Sequence, residues 1–539
     1  MAPFASCDSL TQLDTPKLNT IYVDAFADSH ITSFIVPGTV TSLDRNAFRN
    51  CSSLRQIAVE NDNPTYSNEI AGVEYNNAIF KGTELWIAIA SLNDIPAGVT
   101  NFDASQMTAF YNLTSITIPA SYTGNLHHLS GMPNLQHIAV DEGNRTYTSL
   151  NGSDCVVNKS SGKLLVGCKN TKFVPGIKSI SEYAFYGREL DELDASLTAG
   201  SELTAIDDKA FSGCSRIGNI NLEHTVNFST NAFKECSYIG RIDCAYETIP
   251  DGMLSGLSCI RNVNLPNAIE IGSQAFANCE KLRNVSALMA YTLGEYAFAN
   301  CIDLENIYLD GITAAGHRVF QNCSSLISVG LSEITIGQNL NEAMFLNCYN
   351  LRNVMLSPTV DKIPYQFFQN CYSLTAIGQP GVKFDEVLTV DYGAFENCNS
   401  LTFDNISFNK IKYIGSYAFK NCKLTELSTS NLDYVGTAAF ANCTQLTSVV
   451  IDASDTSLTA FDSEVFCSCE NLADFRLSAR IGVPFNIGYS CFDHDKSLTS
   501  LDFSNTTLTS VYNAFNYCTN LRNVKFPNTL DSLQYDAFN

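Results

Sequence analysis

Twenty cysteines and seven histidines are the residues in this 539-residue chain whose types could do chemistry, as thiolate nucleophiles, imidazole bases or metal ligands. The histidines, His30, His127, His128, His137, His224, His317 and His494, are scattered and recur with no nucleophile. No HExxH, GxSxG or glycine-rich phosphate loop is written anywhere. His127, His128 and His137 could meet at one metal ion if the fold gathered them, but the trio is read as three unrelated solvated side chains. Cys467 and Cys469, in "CSC", lack a second ligand pair nearby. Acidic pairs abound where 55 acids face 32 bases, so no one pair marks a glycosidase site. The chain is therefore not read as an enzyme, and no cofactor, catalytic residue or metal site is expected.

Most of the cysteines are periodic instead. Cys7, Cys51, Cys214, Cys236, Cys279, Cys301, Cys323, Cys348, Cys371, Cys398, Cys422, Cys443, Cys469 and Cys518 each stand three places after a phenylalanine or its equivalent. The aromatic column runs through Phe185, Phe211, Phe233, Phe276, Phe298, Phe320, Phe345, Phe368, Phe395, Phe419, Phe440, Phe466, Phe492, Phe515 and Phe538, with Leu254 substituting once and steps of 21 to 27 residues. Phe4, Phe26, Phe48, Phe110 and Leu129 extend it to about twenty copies of a unit reading LxxIxLP, a variable stretch, then IGxxAFxNCxxL.

Within a copy, apolar residues after Phe276 fall at Cys279, Leu282 and Val285, a step of three, and then at Ala287, a step of two. The first spacing predicts a short 3₁₀ or α turn and the second a strand. Neither can bury its apolar side alone, so the copies must stack, strand beside parallel strand, into one α/β repeat solenoid over residues 1–539. At about 4.8 Å per strand the stack would run on the order of 95 Å.

Stacking explains the recurring letters. Each phenylalanine lies against the next and contributes about 2–3 kcal/mol by leaving water. Cysteine is small and readily buried, so buried free thiols are preferred here to a disulfide framework. The asparagine before it, as at Asn50, Asn278, Asn300, Asn322, Asn347, Asn370, Asn397, Asn421 and Asn442, is suited to a left-handed backbone or to bonding turn backbone. Off the column, Cys155 and Cys168 bracket two alternating strands around a Ser-Ser-Gly turn. Counting outward sets them opposite each other, and a cross-strand disulfide and two free thiols stay equally open.

Two stretches interrupt the period, residues 61–96 and 141–175, each with an Asn, a Thr-Tyr and a hairpin ending at proline. They are read as hairpin insertions that project from the stack. Trp86, the sole tryptophan, lies in the first and is read as packing it down rather than as a binding anchor.

The IGxxAFxNCxxL and LxxIxLP pattern, with the NxxY hairpins, resembles the BspA-like leucine-rich repeats, also called the Treponema pallidum type, over nearly the whole chain. That resemblance implies a horseshoe or superhelix with a parallel sheet on its concave face and helical or 3₁₀ turns on its convex side. It also implies a surface-exposed or secreted protein that adheres to host matrix proteins, glycans or other cells. Departures from the pattern are Leu254, His494 near a cysteine position, and Cys467 beside the column.

The formal charge of −23 argues against nucleic acid and anionic lipid as partners. No run of eighteen apolar residues predicts membrane insertion, and "MAPFASCDSL" lacks the regions of a signal peptide. Both ends fall in repeat register without a polar cap, so the natural protein is expected to be longer, with export signal and anchor outside this sequence.

A binding face is expected on the strands, at positions alternating with the buried ones. These are Asn306, Tyr308 and Asp310 in one repeat and Asn353, Met355 and Ser357 in another, with Asn262, Asn264, Arg476, Asp502 and Lys525 comparable. The expected role is an adhesin. A non-catalytic binding module of a larger secreted enzyme and a structural coat component are the alternatives.

Overall fold

The computed structural model describes the chain apart from residues 1–3, 8, 11–12, 14, 16, 90–91, 104–112, 191–201, 223–226, 230, 335–339, 405, 535 and 539. Phe110 lies outside the described residues. Two compact units are formed, Met1–Asp243 and Cys244–Asn539. Each is built from the same coil.

One coil of the second unit shows the plan. The strand Asn284–Ala287 alternates half-exposed and buried residues and pairs in parallel with Asn306–Leu309, Val285 against Ile307. After a short loop the chain makes a second, two-residue strand, Thr292–Leu293, which joins a separate parallel sheet with Glu270–Ile271 and Ala314–Ala315. The turn containing Phe298 then leads to the next coil. The longer strands continue in register through Ser328–Leu331 and Asn353–Leu356 to Ala376–Ile377.

The expected helical turn is corrected. Across the phenylalanine turn, alternate amides bond within the coil and to the next one. Ala275, Ala277 and Cys279 donate to the carbonyls three residues back at 3.1–3.3 Å, whereas Gln274, Phe276 and Asn278 donate to Glu295, Ala297 and Ala299 at 2.8 Å. Gln274 and Asn278 take φ of 56° and 61°, and this left-handed pair recurs at Tyr296 and Asn300 and at Tyr417 and Asn421. A helix requires every residue to be right-handed, so two inversions per turn exclude it. The inversions turn half the amides outward into a ladder between coils. Among the described residues the helical segments are two 3₁₀ pieces, His127–Gly131 and Leu150–Gly152. The architecture is thus a β-solenoid of parallel strands and turns, not α/β.

Side chains follow the same stacking. In the second unit the rings from Phe276 to Phe538 form one continuous stack, with centroids 5.0–5.7 Å apart and planes within 20° of parallel. In the first, Phe4, Phe26 and Phe48 stack, as do Phe185, Phe211 and Phe233. The glycine of "IG" exists for clearance: a Cβ on Gly294 would lie 2.3 Å from the Ser273 nitrogen of the preceding coil.

The two insertions are hairpins, but they do not simply project. Ala78–Lys81 and Glu84–Ala88 pair antiparallel, and the second strand then pairs in parallel with Asn101–Phe102. Ile79, Phe80, Leu85 and Ile87 are buried. Cys155–Asn158 and Lys163–Gly167 repeat the arrangement, the latter joining Ser179–Ile180. Both are anchored by one motif. Asn63 donates to Pro37 and Val40 carbonyls and accepts from the Thr65 and Tyr66 amides, all at 2.9 Å. Asn144 does the same with Pro119, Tyr122, Thr146 and Tyr147, also at 2.9 Å. All four bonding positions of the Asn144 amide are used and the residue is buried, so its Asn-Arg-Thr triplet is structural; Asn112 lies outside the described residues. Trp86 packs its hairpin, with Nε1 donating to the Leu43 carbonyl at 2.9 Å and the Arg45 guanidinium 4.0 Å over the ring.

Candidate functional site

The column thiols explain why the turn needs cysteine. From Cys51 onward each column S–H donates to the carbonyl of the column residue one coil earlier: Cys301 to Phe276, Cys323 to Phe298 and Cys348 to Phe320 at 3.1 Å, Cys443 to Phe419 at 3.1 Å. That carbonyl already accepts the amide of its own coil's cysteine, so the thiol fills its second lone pair. Burial pushes the Cys279 and Cys443 thiols up to about 12 and Cys301, Cys371 and Cys469 well above the usual thiol value. These groups are hydrogen-bond donors, not thiolates. All twenty cysteines are free. Iodoacetamide on the native chain should therefore modify the partly exposed Cys7 and Cys467 well before Cys301 to Cys443. Peptide mass spectrometry with equal labelling of both sets would disprove the buried column.

Cys155 does not face Cys168. A bulge between Val156 and Val157 shifts the register by one, and Cys155 pairs with Gly167. The pairing nearest the turn, Val157 against Leu164, centres the turn one residue earlier than counting outward from Ser-Ser-Gly assumes, which alone would set Cys155 opposite Val166; the bulge brings it back only to Gly167. Cys155 contacts the Ser153 hydroxyl at 3.1 Å, and Cys168 donates to the Gln136 and Asp154 carbonyls at 2.8 and 3.0 Å.

The row before the cysteines is a second ladder. The side-chain amides of Asn300, Asn322, Asn347, Asn370, Asn397, Asn421 and Asn442 each donate to the asparagine of the preceding coil, beginning at Asn278, at 2.5–2.8 Å. The left-handed backbone is as expected, at φ of 60–66°. The bonding partner is the neighbouring asparagine, which sequence reasoning missed. Where this row lacks asparagine, Gly187, Gly213 and Gly256 take the positive φ in three coils, and Glu235, Ser468, His494 and Tyr517 take it in others.

His137 Nδ1 lies 3.1 Å from Asp154, His127 is exposed, and His128 is largely buried with its ring edge-on to Phe102 at 4.8 Å. Burial lowers the His128 pKa to about 4, leaving a neutral imidazole. His494 is not at a cysteine position. With φ of 66° it occupies the asparagine row, and the cysteine position is held by Asp495, which is fully buried.

The strand face assembles most of the expected residues. Asn262, Asn284, Asn306, Ser328 and Asn353 form one in-register row, and Asn264, Ser286, Tyr308, Gly330 and Met355 another. Asn284 donates to Asn262 at 2.8 Å and Asn306 to Asn284 at 3.0 Å, which fixes the first row. Tyr308 is 54% exposed, whereas Asn353 and Met355 are half-buried, the Asn353 amide reaching the Met355 sulfur at 3.4 Å. Asp310 is exposed but lies past the strand end at Leu309. Ser357 is corrected: the strand ends at Leu356, the alternation ends with it, and Ser357 is buried. Arg476 sits on a different sheet, across from Val450 and Asp502, and closes on Asp474 of its own strand through Nε at 3.2 Å and a second nitrogen at 3.1 Å. Lys525 pairs with Asp502 at 3.2 Å. The row near Arg476 is therefore internally neutralised, while the row at Tyr308 is uncharged.

A family model described as "BspA type Leucine rich repeat region" matches six stretches, residues 2–71, 165–283, 247–375, 286–402, 381–483 and 485–539, together most of the chain. The unmatched stretch after residue 71 holds the first long hairpin and most of the second. Among curated proteins none matches. Solved structures similar to it include a leucine-rich repeat protein from Bacteroides ovatus, at 18% identity over 72% of this chain and 88% of that one, TM-score 0.41. Another is a leucine rich cell surface protein from Faecalibacterium prausnitzii, at 18% identity over 71% and 93%, TM-score 0.35. A T. pallidum leucine rich repeat protein matches at 14% identity over 52% and 83%, TM-score 0.12. The assignment rests on the repeat model, not on these superpositions.

Proposed function

Because the chain belongs to the BspA type leucine-rich repeat family, we propose that it is a surface-exposed binding scaffold, an adhesin that holds extracellular proteins or cell-surface glycans on its strand face. The observation that carries this reading is the pair of in-register rows from Asn262 to Met355. They place amide, hydroxyl and aromatic groups at the about 4.8 Å spacing of a parallel sheet, on backbone that cannot rearrange without breaking the ladder. Such a face is preorganised, which lowers the ordering cost of association. Tyr308 is its exposed aromatic anchor and Asp310 its adjacent charge.

The test is a screen of the purified chain against immobilised matrix proteins and glycans. For a ligand so found, Tyr308→Ala should weaken binding about five- to thirty-fold, or about 1–2 kcal/mol, and Asp310→Lys should change its salt dependence. Binding untouched by both substitutions would remove this face from the reading.

A further inference from the structure

We propose a second binding site, on the turn side of the first unit, that takes an acidic sugar: a glycan residue bearing a carboxylate. The site is a cleft of about 720 Å³ along successive coils whose column residues are Leu129, Phe185, Phe211 and Phe233. Its lining comes from two rows of the repeat. Two places before the column residue stand His127, Tyr183 and Lys209; one place after it stand Ser130, Tyr186, Ser212 and Lys234. The turn ladder brings them side by side, for Tyr183 donates its amide to the Lys209 carbonyl at 3.2 Å and Gly213 to that of Lys234 at 3.0 Å.

The chemistry of the lining inverts that of the chain. Against a formal charge of −23, the cleft is lined by two lysines and one acid, Glu235, with His127 at its edge and the buried His128 neutral. Lys234 has no carboxylate partner among the described residues, while Lys209 lies 3.6 Å from Glu182, 3.7 Å from Asp208 and 5.3 Å over the Tyr183 ring. A free ammonium in an acidic chain suits one ligand carboxylate. Tyr183 and Tyr186 meet edge-on at 5.7 Å, and Tyr186 is 44% exposed, an aromatic wall of the kind that the C–H face of a sugar ring covers.

The remaining polar groups fit hydroxyls rather than a second charge. Ser130 Oγ and His128 Nε2, buried at the cleft, have no hydrogen-bond partner. The 3₁₀ segment bearing them is fixed from beneath by the buried Arg188, whose guanidinium donates to the carbonyls of Leu129, at 3.0 Å, and Met132. The segment is therefore held in place, and its two unpartnered polar atoms are costly until a ligand meets them.

Titration calorimetry of the full chain with sialyllactose, a glucuronate-terminated disaccharide and neutral lactose tests the site. One of the two acidic sugars should bind at least ten-fold more tightly than lactose. Lys234→Gln and Tyr186→Ala, both at exposed positions, should each weaken it at least ten-fold with the thermal transition unchanged. Tyr308→Ala on the strand face should leave it unaltered, which separates this site from the proposed adhesive face. Equal affinity for lactose, no binding of either acidic sugar, or binding indifferent to Lys234→Gln would overturn the assignment.

Discussion

Replacing Asp495 with cysteine should stabilise the coils around it by about 1–3 kcal/mol at pH 7, the cost of a buried polar group left without a partner. Asp495 stands three places after Phe492, where other coils place the thiol, and both its carboxylate oxygens lack hydrogen-bond partners. The Cys469 amide, near enough to favour the charged form slightly, is already committed to the Phe466 carbonyl at 3.2 Å. The groups facing the carboxyl are Asp493 and the thiols of Cys467, Cys469, Cys491 and Cys518, none of them a cation. Burial first, then the Asp493 charge, therefore hold its pKa well above the usual carboxylate value. A pKa raised in the folded state means that the folded chain binds the proton more tightly. Its ionisation costs nothing below the unfolded pKa of about 3.9, and stability declines as pH rises from there toward the folded pKa. Asp495→Cys removes that slope and restores a donor for the Phe466 carbonyl. Amide hydrogen exchange of residues 466–518 at pH 4.5 and 7.5 would show slower opening in the variant, with the larger gain at the higher pH. An equal gain at both would mean that the carboxyl is ionised throughout and paired.

The same position shows how far the sequence could be read. Phenylalanine, asparagine and cysteine recur at fixed offsets because each occupies one internal row, and burial of equivalent atoms is what a repeat encodes. Counting those offsets strictly identifies Asp495, rather than His494, as the residue in the thiol row. The turn was illegible for a physical reason: apolar residues three apart suit a 3₁₀ turn and also a turn whose alternate amides bond the next coil. Only φ at Gln274 and Asn278 distinguishes them, and glutamine gives no hint of a left-handed backbone. The second strand, two residues long, lies below any periodicity signal. The binding rows were legible as an alternation but not where they ended, so Asn306 and Tyr308 face outward while Ser357 does not. Cys155 and Cys168 were misplaced by a turn centred one residue earlier than counted, an offset of two partners of which the bulge restores one, and composition announces neither. The cleft at Lys234 could not be read at all, because it depends on which coils abut the 3₁₀ segment.

Truncating one ring of the stack should do more damage than any surface substitution. Phe419 is fully buried, stacked on Phe395 at 5.5 Å and on Phe440 at 5.3 Å, and edge-on to Phe403 at 5.4 Å. Phe419→Ala should cost about 3–5 kcal/mol, from lost transfer free energy and from a cavity that the flanking rings cannot close. Those rings are held by backbone: Phe395 and Phe440 donate their amides to the Ala418 and Val465 carbonyls of the following coils at 2.8 and 2.9 Å. In a stack that contacts only its nearest neighbours, the loss falls on the interfaces of one coil with two others. The expected result is a denaturant transition that starts earlier and broadens, with exchange protection lost first between residues 395 and 440. Phe419→Leu, which refills most of the volume, should recover more than half of the loss. A uniform shift of the whole transition, with protection falling equally at Phe298 and Phe419, would show that the unit unfolds all at once and that the coils are not the cooperative element.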